Sequence, residues 1–368
     1  MGIGKSLTIS TYYQTKISIV SACLVILVLY VHAYFINPDA YPFSQAVLPV
    51  VERLSYRAIN PTYFAISGFL FFFGIGKAAD CFPKMWKRVR TVLIPFVLWN
   101  IIAAAAYLIF SRLPGTRVFM HRDIIGQFQS FGSAFCFLFV KPASFHLWFL
   151  RDLILYVAFS PIVFWMIKRF GWLAFLFLLI ATPPLTIWLE YSHIEIAFFA
   201  LGGTIALRSD LDAVRSLLTR NLVICAATVY FGLSVAWNYL LSSDALWEGY
   251  LALVFSISGM IVVWRGYDWL TYNFDVEHSR MLLLLANYSF FIYLFHEPIL
   301  YVFIRMGLRL LGISDFTLSL LYFINPILIV ILGILLAKGI KALSKPIYSV
   351  LVGGRVRMFH ATGAIRIK

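Results

Sequence analysis

Charged residues are scarce in this chain of 368 residues. Only 12% are Asp, Glu, Lys or Arg, against about 25% in typical soluble domains. Acidic residues are the scarcer kind, with 16 Asp and Glu against 30 Lys and Arg, while hydrophobic residues make up 62% of the chain. So few charges cannot cover the surface of a globule, which excludes an ordinary soluble protein and predicts an integral membrane protein.

Cysteine is also rare. The four cysteines never stand in Cys-x-x-Cys or Cys-x-x-His spacing, and Cys23 and Cys225 lie inside apolar runs. We therefore expect neither a metal site nor a disulfide framework. The sequence shows no obvious internal repeat of the kind that marks many transporters.

Long apolar runs dominate what is present. A hydrocarbon core about 30 Å thick needs roughly 20 apolar residues of helix. Ten segments approach that length: 17–36, 61–76, 92–110, 147–167, 172–189, 194–207, 222–240, 246–264, 282–304 and 318–336. They predict an all-α, polytopic membrane helix bundle of about ten spans. The stretch 123–140 is too polar at its start and is interpreted as an interfacial or re-entrant helix, with an eleventh span as the alternative.

The basic residues predict the orientation, because cytoplasmic loops are enriched in Lys and Arg. With the N-terminus inside, ten spans place 21 of the 30 basic residues on the inner side and eight outside. We therefore expect both termini to be cytoplasmic, with a membrane domain over 1–345 and a basic cytoplasmic tail over 346–368. This topology accounts for the net charge of +14, so we expect membrane lipids and no nucleic acid among the partners. The sequence does not specify an oligomeric state.

A few ionisable residues fall at membrane depth, where each costs about 2.5–3.5 kcal/mol on insertion scales and is by default a functional candidate. They are His32 at the outer end of the first segment, His146, Arg151 and Asp152 at the start of the fourth, and His296 and Glu297 deep in the ninth. Two have simpler interpretations. Arg151 could extend its head group to the interface, and His32 could be an interfacial histidine bonded to a carbonyl.

Pro298 favours a functional role for His296 and Glu297 in the ninth segment. Proline lacks the N–H that would bond the carbonyl of Leu294, so it kinks the helix. A kink beside His296 and Glu297 indicates a lined cavity rather than lipid contact.

The densest charge cluster is the loop KMWKRVRTVLIP, which contains Lys87, Arg88 and Arg90. It is either a topological determinant or a cradle for an anionic cytosolic ligand, because Lys and Arg bind phosphate by charge and bidentate hydrogen bonds. Composition leaves both interpretations open.

Five segments resemble, in order, those of the acyltransferase-3 family of membrane-bound acyltransferases. They are SIVSACLVILVLYVHAY, FAISGFLFF, KRVRTVLIPFVLWN, HLWFLRDLI and NYSFFIYLFHEPIL. The resemblance implies transfer of an acyl group, often acetyl from acetyl-CoA on the cytoplasmic side, to a glycan or other acceptor that faces outward. His32 matches the family's histidine in the first span. Lys87 and Arg90 match, as K-x-x-R, its basic pair attributed to donor handling.

One position departs from the family pattern. Family members often carry Arg or Lys eleven residues before the histidine, about 16 Å along one helix face, and this chain has Ser21 there. Val25 and Val28 lie between Ser21 and His32 on the same stripe. Either another cation such as Arg151 supplies the charge, or the chain belongs to a divergent subfamily.

These observations together predict a bacterial cytoplasmic-membrane O-acyltransferase that acetylates a cell-surface polysaccharide or lipid-linked sugar. We expect His32 to act as the general base. His296, Glu297 or Arg151 would orient that base or stabilise the oxyanion. Acetyl-CoA would be bound by Lys87, Arg88 and Arg90, and the acceptor by His146, Trp148 and Asp152. Trp148 and Asp152 stand four residues apart and so share a helix face. The alternatives are a transporter or flippase of a lipid-linked or anionic solute, with the histidines as proton relays, and a scaffold that has lost catalysis.

Overall fold

The computed structural model describes residues 8–33, 41–112, 130, 132–133, 140–190, 195–240 and 244–356. Every regular element within these ranges is helical, which confirms the predicted all-α fold. The longer helices are α1 (Thr11–Ala33), α2 (Pro42–Phe72), α3 (Cys81–Arg88), α4 (Ile94–Arg112), α5 (Trp148–Ala158), α6 (Ser160–Phe170), α7 (Trp172–Trp188), α8 (Ile196–Arg208), α9 (Leu211–Leu217), α10 (Arg220–Leu240), α11 (Ala245–Asn273), α12 (Arg280–Leu311), α13 (Asp315–Leu343) and α14 (Lys345–Leu351). Short 3-10 turns lie at Ala78–Asp80 and Phe145–Leu147, and a π-helical turn at Val89–Leu93. The predicted element 123–140 lies almost entirely outside the described residues.

Six helical segments among the described residues are long and apolar enough to cross a membrane. They are Thr11–Ala33, Ala78–Ile109, Arg220–Leu240, Ala245–Asn273, Arg280–Leu311 and Asp315–Leu343. The bent pair α5 and α6 adds a seventh if it counts as one span, and α7 and α8 are shorter apolar helices. The chain is a multi-pass membrane protein. The count of about ten spans and the cytoplasmic position of both termini stay predictions.

Helix α2 is much longer than the predicted segment 61–76, because it begins at Pro42. Its first half carries charges that lower the hydropathy of that part of the sequence. Helix α10 satisfies them: Arg53 donates hydrogen bonds to the carbonyl of Ser234 at 3.2 Å and to Asn238 Oδ1 at 2.8 Å. The guanidinium of Arg57 lies 5.0 Å from the centroid of the Trp237 ring. Both arginines in this half of α2 therefore contact protein groups rather than lipid.

The predicted segment 147–167 is broken rather than continuous. Helices α5 and α6 meet at Phe159 with a bend of 60°. Pro161 lies in the first turn of α6 and has no N–H to continue the hydrogen-bond ladder of α5. The proline therefore accounts for the end of one helix and the start of the next.

Helix α1 is the centre of the bundle and contacts α2, α11, α12 and α13. Near its first turns, Lys16 is completely buried and its Nζ lies 2.5 Å from Asp268 Oδ1 on α11. The same ammonium group lies 4.1 Å from the centroid of the Trp264 ring. A buried charge is tolerated only when it is paired in this way, so the pair fixes the position of α1 against α11.

Helix α12 is interrupted where the sequence predicts a kink. Glu297 has φ −101° and ψ 139°, which are not helical values, and the Glu297–Pro298 peptide bond is cis. The predicted break is confirmed. His296 is therefore the last residue of the first half of α12, and Glu297 lies at the break with a non-helical backbone.

Helices α2 and α8 pack with their backbones in close approach. A Cβ atom added at Gly68 would lie 1.9 Å from the carbonyl oxygen of Phe199, and one added at Gly202 would lie 1.9 Å from that of Ala65. Neither carbonyl can retreat without a shift of its helix. Small residues at such contacts let membrane helices associate closely.

We expect Gly202→Ala to lower the thermal stability of the detergent-purified protein, because the added methyl group forces α2 and α8 apart. The matched control is Gly232→Ala in α10, where an added Cβ meets no atom within 4 Å. That control should match or exceed wild-type stability, because alanine favours helix over glycine. Equal melting temperatures for the two variants would contradict the close packing.

Candidate active site

Three histidines from three separate segments form one cluster. His32 stands in the last turn of α1, His146 in the 3-10 turn before α5, and His296 next to the break in α12. Their ring centroids lie 5.1 Å apart for His32 and His296, 6.2 Å for His32 and His146, and 4.3 Å for His146 and His296. We call these residues the histidine cluster.

The broken helix supplies both a carboxylate and a tether for this cluster. Glu297 Oε1 lies 3.6 Å from His32 Nδ1, within ion-pair range. The Tyr293 hydroxyl donates a hydrogen bond of 2.7 Å to the backbone carbonyl of His146. His296 Nδ1 lies 2.7 Å from the carbonyl of Tyr293, which fixes Nδ1 as the protonated nitrogen. One turn of α12 therefore contacts the His32 ring, the His296 ring and the backbone of His146.

Several ring nitrogens of the cluster lack a protein partner. His296 is fully buried and His146 is 2% exposed. Among the described residues, His296 Nε2 and both ring nitrogens of His146 make no hydrogen bond. Leaving a buried polar group unsatisfied costs about 1–3 kcal/mol, and such groups in a native protein call for an explanation.

A cavity of about 470 Å³ extends from the histidine cluster along α1. Ser18, Ser21, Val25, Val28 and His32 all line it, and their spacing of three or four residues places them on one face of the helix. From Ser18 to His32 this face is about 21 Å long. The predicted stripe on α1 is therefore the wall of a long cavity, with His32 and His146 at one end.

Two arginines also line the cavity. Arg88, from the last turn of α3, and Arg355, which follows α14, are both lining residues. No Asp or Glu is among the described residues that line the cavity. We call Arg88 and Arg355 the arginine end. The cavity thus joins two imidazole rings of the histidine cluster, His32 and His146, to two guanidinium groups.

The structure divides the predicted donor residues. Arg88 lines the cavity, whereas Lys87 and Arg90 are solvent-exposed and do not line it. The π-helical turn Val89–Leu93 directly follows Arg88, and π turns are frequent at functional sites because they redirect side chains. The predicted roles of all three residues in donor binding stay predictions.

The predicted acceptor and orienting residues are divided as well. Trp148 lines the cavity with His146. Arg151 Nε and Asp152 Oδ1 form an ion pair at 2.9 Å, and Arg151 also donates to the carbonyl of Val140. Neither residue of that pair is among the described lining residues, so Arg151 does not replace the missing cation at Ser21. The cations of this cavity are at its arginine end.

Sequence reasoning missed several polar residues of the wall. Asn60 and Tyr63 face the cavity from α2; the Tyr63 hydroxyl donates a hydrogen bond of 2.5 Å to the carbonyl of Ser21. Neither carries a charge, so the search for ionisable groups passed over them. Arg355 was counted only as one of the basic residues of the tail.

Metal ligation has no support in the described part of the chain. No group of three or more His, Cys, Asp or Glu side chains there is arranged to hold a metal ion.

Comparison with known families decides the class of protein. A family model described as an acyltransferase domain, Acyl_transf_3, matches residues 18–340. The chain belongs to the acyltransferase-3 family. The resemblance of its five segments to this family is thereby confirmed, and the protein is a membrane-bound O-acyltransferase.

A curated relative is similar over nearly the whole length. The succinoglycan biosynthesis protein ExoH of Rhizobium meliloti (strain 1021) is 26% identical over 375 residues, which cover 96% of this chain and 94% of the relative. No solved structure matches the chain significantly.

We expect the cavity to be solvated and reachable by small reagents. In a cysteine-free background, Ser21→Cys should react with a small, negatively charged methanethiosulfonate, because its side chain lines the cavity. The control is Ile19→Cys on the same helix, which is 2% exposed and does not line the cavity. It should stay unmodified. Equal resistance of both thiols would show that the hollow is closed to water.

Proposed function

We propose that the protein transfers an acetyl or related acyl group from cytoplasmic acetyl-CoA to a hydroxyl group of an extracytoplasmic polysaccharide or lipid-linked sugar. Its site would be the cytoplasmic membrane of a bacterium. The supporting observation is the single cavity that connects the histidine cluster with the arginine end. An acyl thioester on a long arm needs such a path, because its charged head must stay near water while its reacting carbon reaches the acceptor.

The charge distribution of the sequence supports this direction of transfer. The orientation that puts most basic residues in the cytoplasm also puts the arginine end of the cavity on the cytoplasmic side and the histidine cluster toward the outer side. The donor would then enter at Arg88 and Arg355, and the acceptor hydroxyl would meet the carbonyl carbon at His32.

His32 is the proposed general base. Its Nδ1 lies 3.6 Å from Glu297 Oε1, so Nε2 is the nitrogen left to accept the proton of the acceptor hydroxyl. The hydroxyl oxygen forms a bond to the acyl carbon while His32 takes its proton. The carboxylate of Glu297 stabilises the imidazolium that results. Collapse of the tetrahedral intermediate breaks the carbon–sulfur bond, and His32 returns the proton to the departing thiolate.

His146 is suited to stabilise the oxyanion of that intermediate, whereas His296, whose Nδ1 carries the proton, presents the lone pair of Nε2 and can accept a hydrogen bond from the acceptor. His146 has two ring nitrogens without a partner among the described residues, and His296 has one. An N–H directed at the developing charge in a buried site contributes more than it would in water. His146 and Trp148 both line the cavity, so we also assign these two residues to acceptor contact. The ion-paired Arg151 and Asp152 would position this wall.

The relative supports a glycan acceptor. Its name places it in succinoglycan biosynthesis, and succinoglycan is a polysaccharide. An acceptor of the same chemical class fits a reaction that ends at a hydroxyl group. Lys87 and Arg90, exposed beside Arg88, would add charge at the mouth where the donor enters.

The first test is the fate of isotope-labelled acetyl groups. Membranes that contain the protein should move deuterated acetyl from labelled acetyl-CoA to the envelope glycan, which mass spectrometry detects. We expect His32→Ala to reduce the label at least about 100-fold, while His278→Ala at an exposed position leaves it unchanged. A glycan that crosses the membrane without acetylation would instead indicate a transporter, and full labelling with His32→Ala would remove this residue from the chemistry.

The second test concerns the partner of His32. We expect Glu297→Gln to lower kcat about tenfold to 100-fold without raising KM for acetyl-CoA, because the amide keeps the size but removes the charge that stabilises the imidazolium. Glu277→Gln, outside the cavity lining, serves as the control. A variant with unchanged kcat would separate Glu297 from the reaction.

A further inference from the structure

The arginine end contains a residue from outside the region that the family model matches. That model covers residues 18–340, whereas Arg355 follows α14 and still lines the same cavity as His32. The segment after α13 therefore contributes to the wall of the site.

This segment is firmly docked. Tyr348 in α14 is 2% exposed, with its ring centroid 6.0 Å from that of Phe291. Trp99 Nε1 on α4 donates a hydrogen bond of 3.1 Å to the carbonyl of Leu351. Gly353 has φ +60°, and a Cβ atom there would lie 2.6 Å from the carbonyl oxygen of Thr91. Glycine permits both this conformation and this approach.

The docking fixes the direction of the Arg355 side chain. One terminal nitrogen, Nη1, donates hydrogen bonds to the carbonyl oxygens of Thr91 at 2.6 Å and Val352 at 3.1 Å. The guanidinium carbon lies 3.8 Å from the centroid of the Phe290 ring, another residue of the cavity wall. Because only Nη1 makes these bonds, the N–H groups of Nε and Nη2 remain for a ligand.

The charge at this end of the cavity is uncompensated. Arg88 forms no ion pair or hydrogen bond with any described residue, and its charge repels that of Arg355. No carboxylate lines the cavity in the described part of the chain. Two guanidinium groups that share one cavity under these conditions favour an anion between them, and their planar forks fit phosphate oxygens in bidentate geometry.

We propose that Arg355 completes, with Arg88, an anion site that holds phosphate groups of the acyl donor. The proposal rests on the proposed function, which makes a phosphate-bearing thioester the donor. In this arrangement the segment after α14 is part of the donor site, and the reactive arm of the donor extends along the α1 face toward the histidine cluster.

Binding of CoA and of pantetheine tests the proposal, because pantetheine has the same thiol arm but no phosphate. Dissociation constants would be measured with the full-length protein in nanodiscs made of zwitterionic lipid. We expect Arg355→Gln to raise Kd for CoA about tenfold or more and to leave Kd for pantetheine unchanged. Arg355→Lys keeps the charge and should recover most of the CoA affinity. Arg220→Gln, at an exposed position outside the cavity, should bind CoA as the wild type does.

The outcomes separate this proposal from the one on which it rests. If the wild type does not bind CoA, the proposed donor is wrong. If the wild type binds CoA more tightly than pantetheine but Arg355→Gln binds it equally well, only the role of Arg355 is wrong, and Arg88 acts without it or the arginine end faces lipid phosphates. An equal loss of affinity for both ligands would show that Arg355 merely holds the wall of the cavity.

Discussion

Protonatable groups are costly to place in a membrane, and this cost shapes the whole helix bundle. Each such group must meet a partner of opposite charge, a hydrogen-bonding group or water. Lys16 meets Asp268 and an aromatic ring, and Arg151 meets Asp152. The histidine cluster has no such complete set of partners, because three of its ring nitrogens make no hydrogen bond among the described residues. The paired charges therefore have a structural role, whereas the unpartnered histidine nitrogens lie beside a cavity in which water could reach them.

The helices that enclose this hollow are shaped by local sequence features. α1 supplies one continuous wall, since its small and polar residues recur every three or four positions from Ser18 to His32. Pro298 interrupts α12 and so delivers a carboxylate to His32. Glycines bring α2 close to α8, which leaves the opposite face of α2 to line the cavity with Asn60 and Tyr63. The cavity wall is thus largely apolar, with a few polar side chains placed along it.

The sequence predicted the parts of the site that depend on local periodicity and on rare residue types. The stripe on α1, the break beside Pro298 and the candidacy of His32, His146 and His296 all follow from spacing, proline chemistry and the cost of buried charge. Family resemblance added the class of reaction. Each of these signals lies within a single segment, so it can be predicted from the sequence alone.

Features that depend on contacts between distant segments were not predictable in this way. The first half of α2 carries charge that only α10 compensates, so hydropathy alone started the helix at residue 61 instead of Pro42. Arg151 stands in an apolar run, yet its neighbour Asp152 pairs with it and it does not line the cavity. Arg355 reaches the site only because Gly353 lets the chain dock against Thr91, a contact between residues far apart in sequence.

The most direct measurement is a cryo-EM structure of the protein in nanodiscs with a non-transferable thioether analogue of acetyl-CoA. The phosphates should lie at Arg88 and Arg355, and the carbonyl carbon that mimics the acyl group should lie within hydrogen-bonding reach of the histidine cluster. Density for the analogue on the outer surface of the bundle, or along a path that does not follow the α1 face, would contradict a single cavity joining donor charge to the reacting histidines.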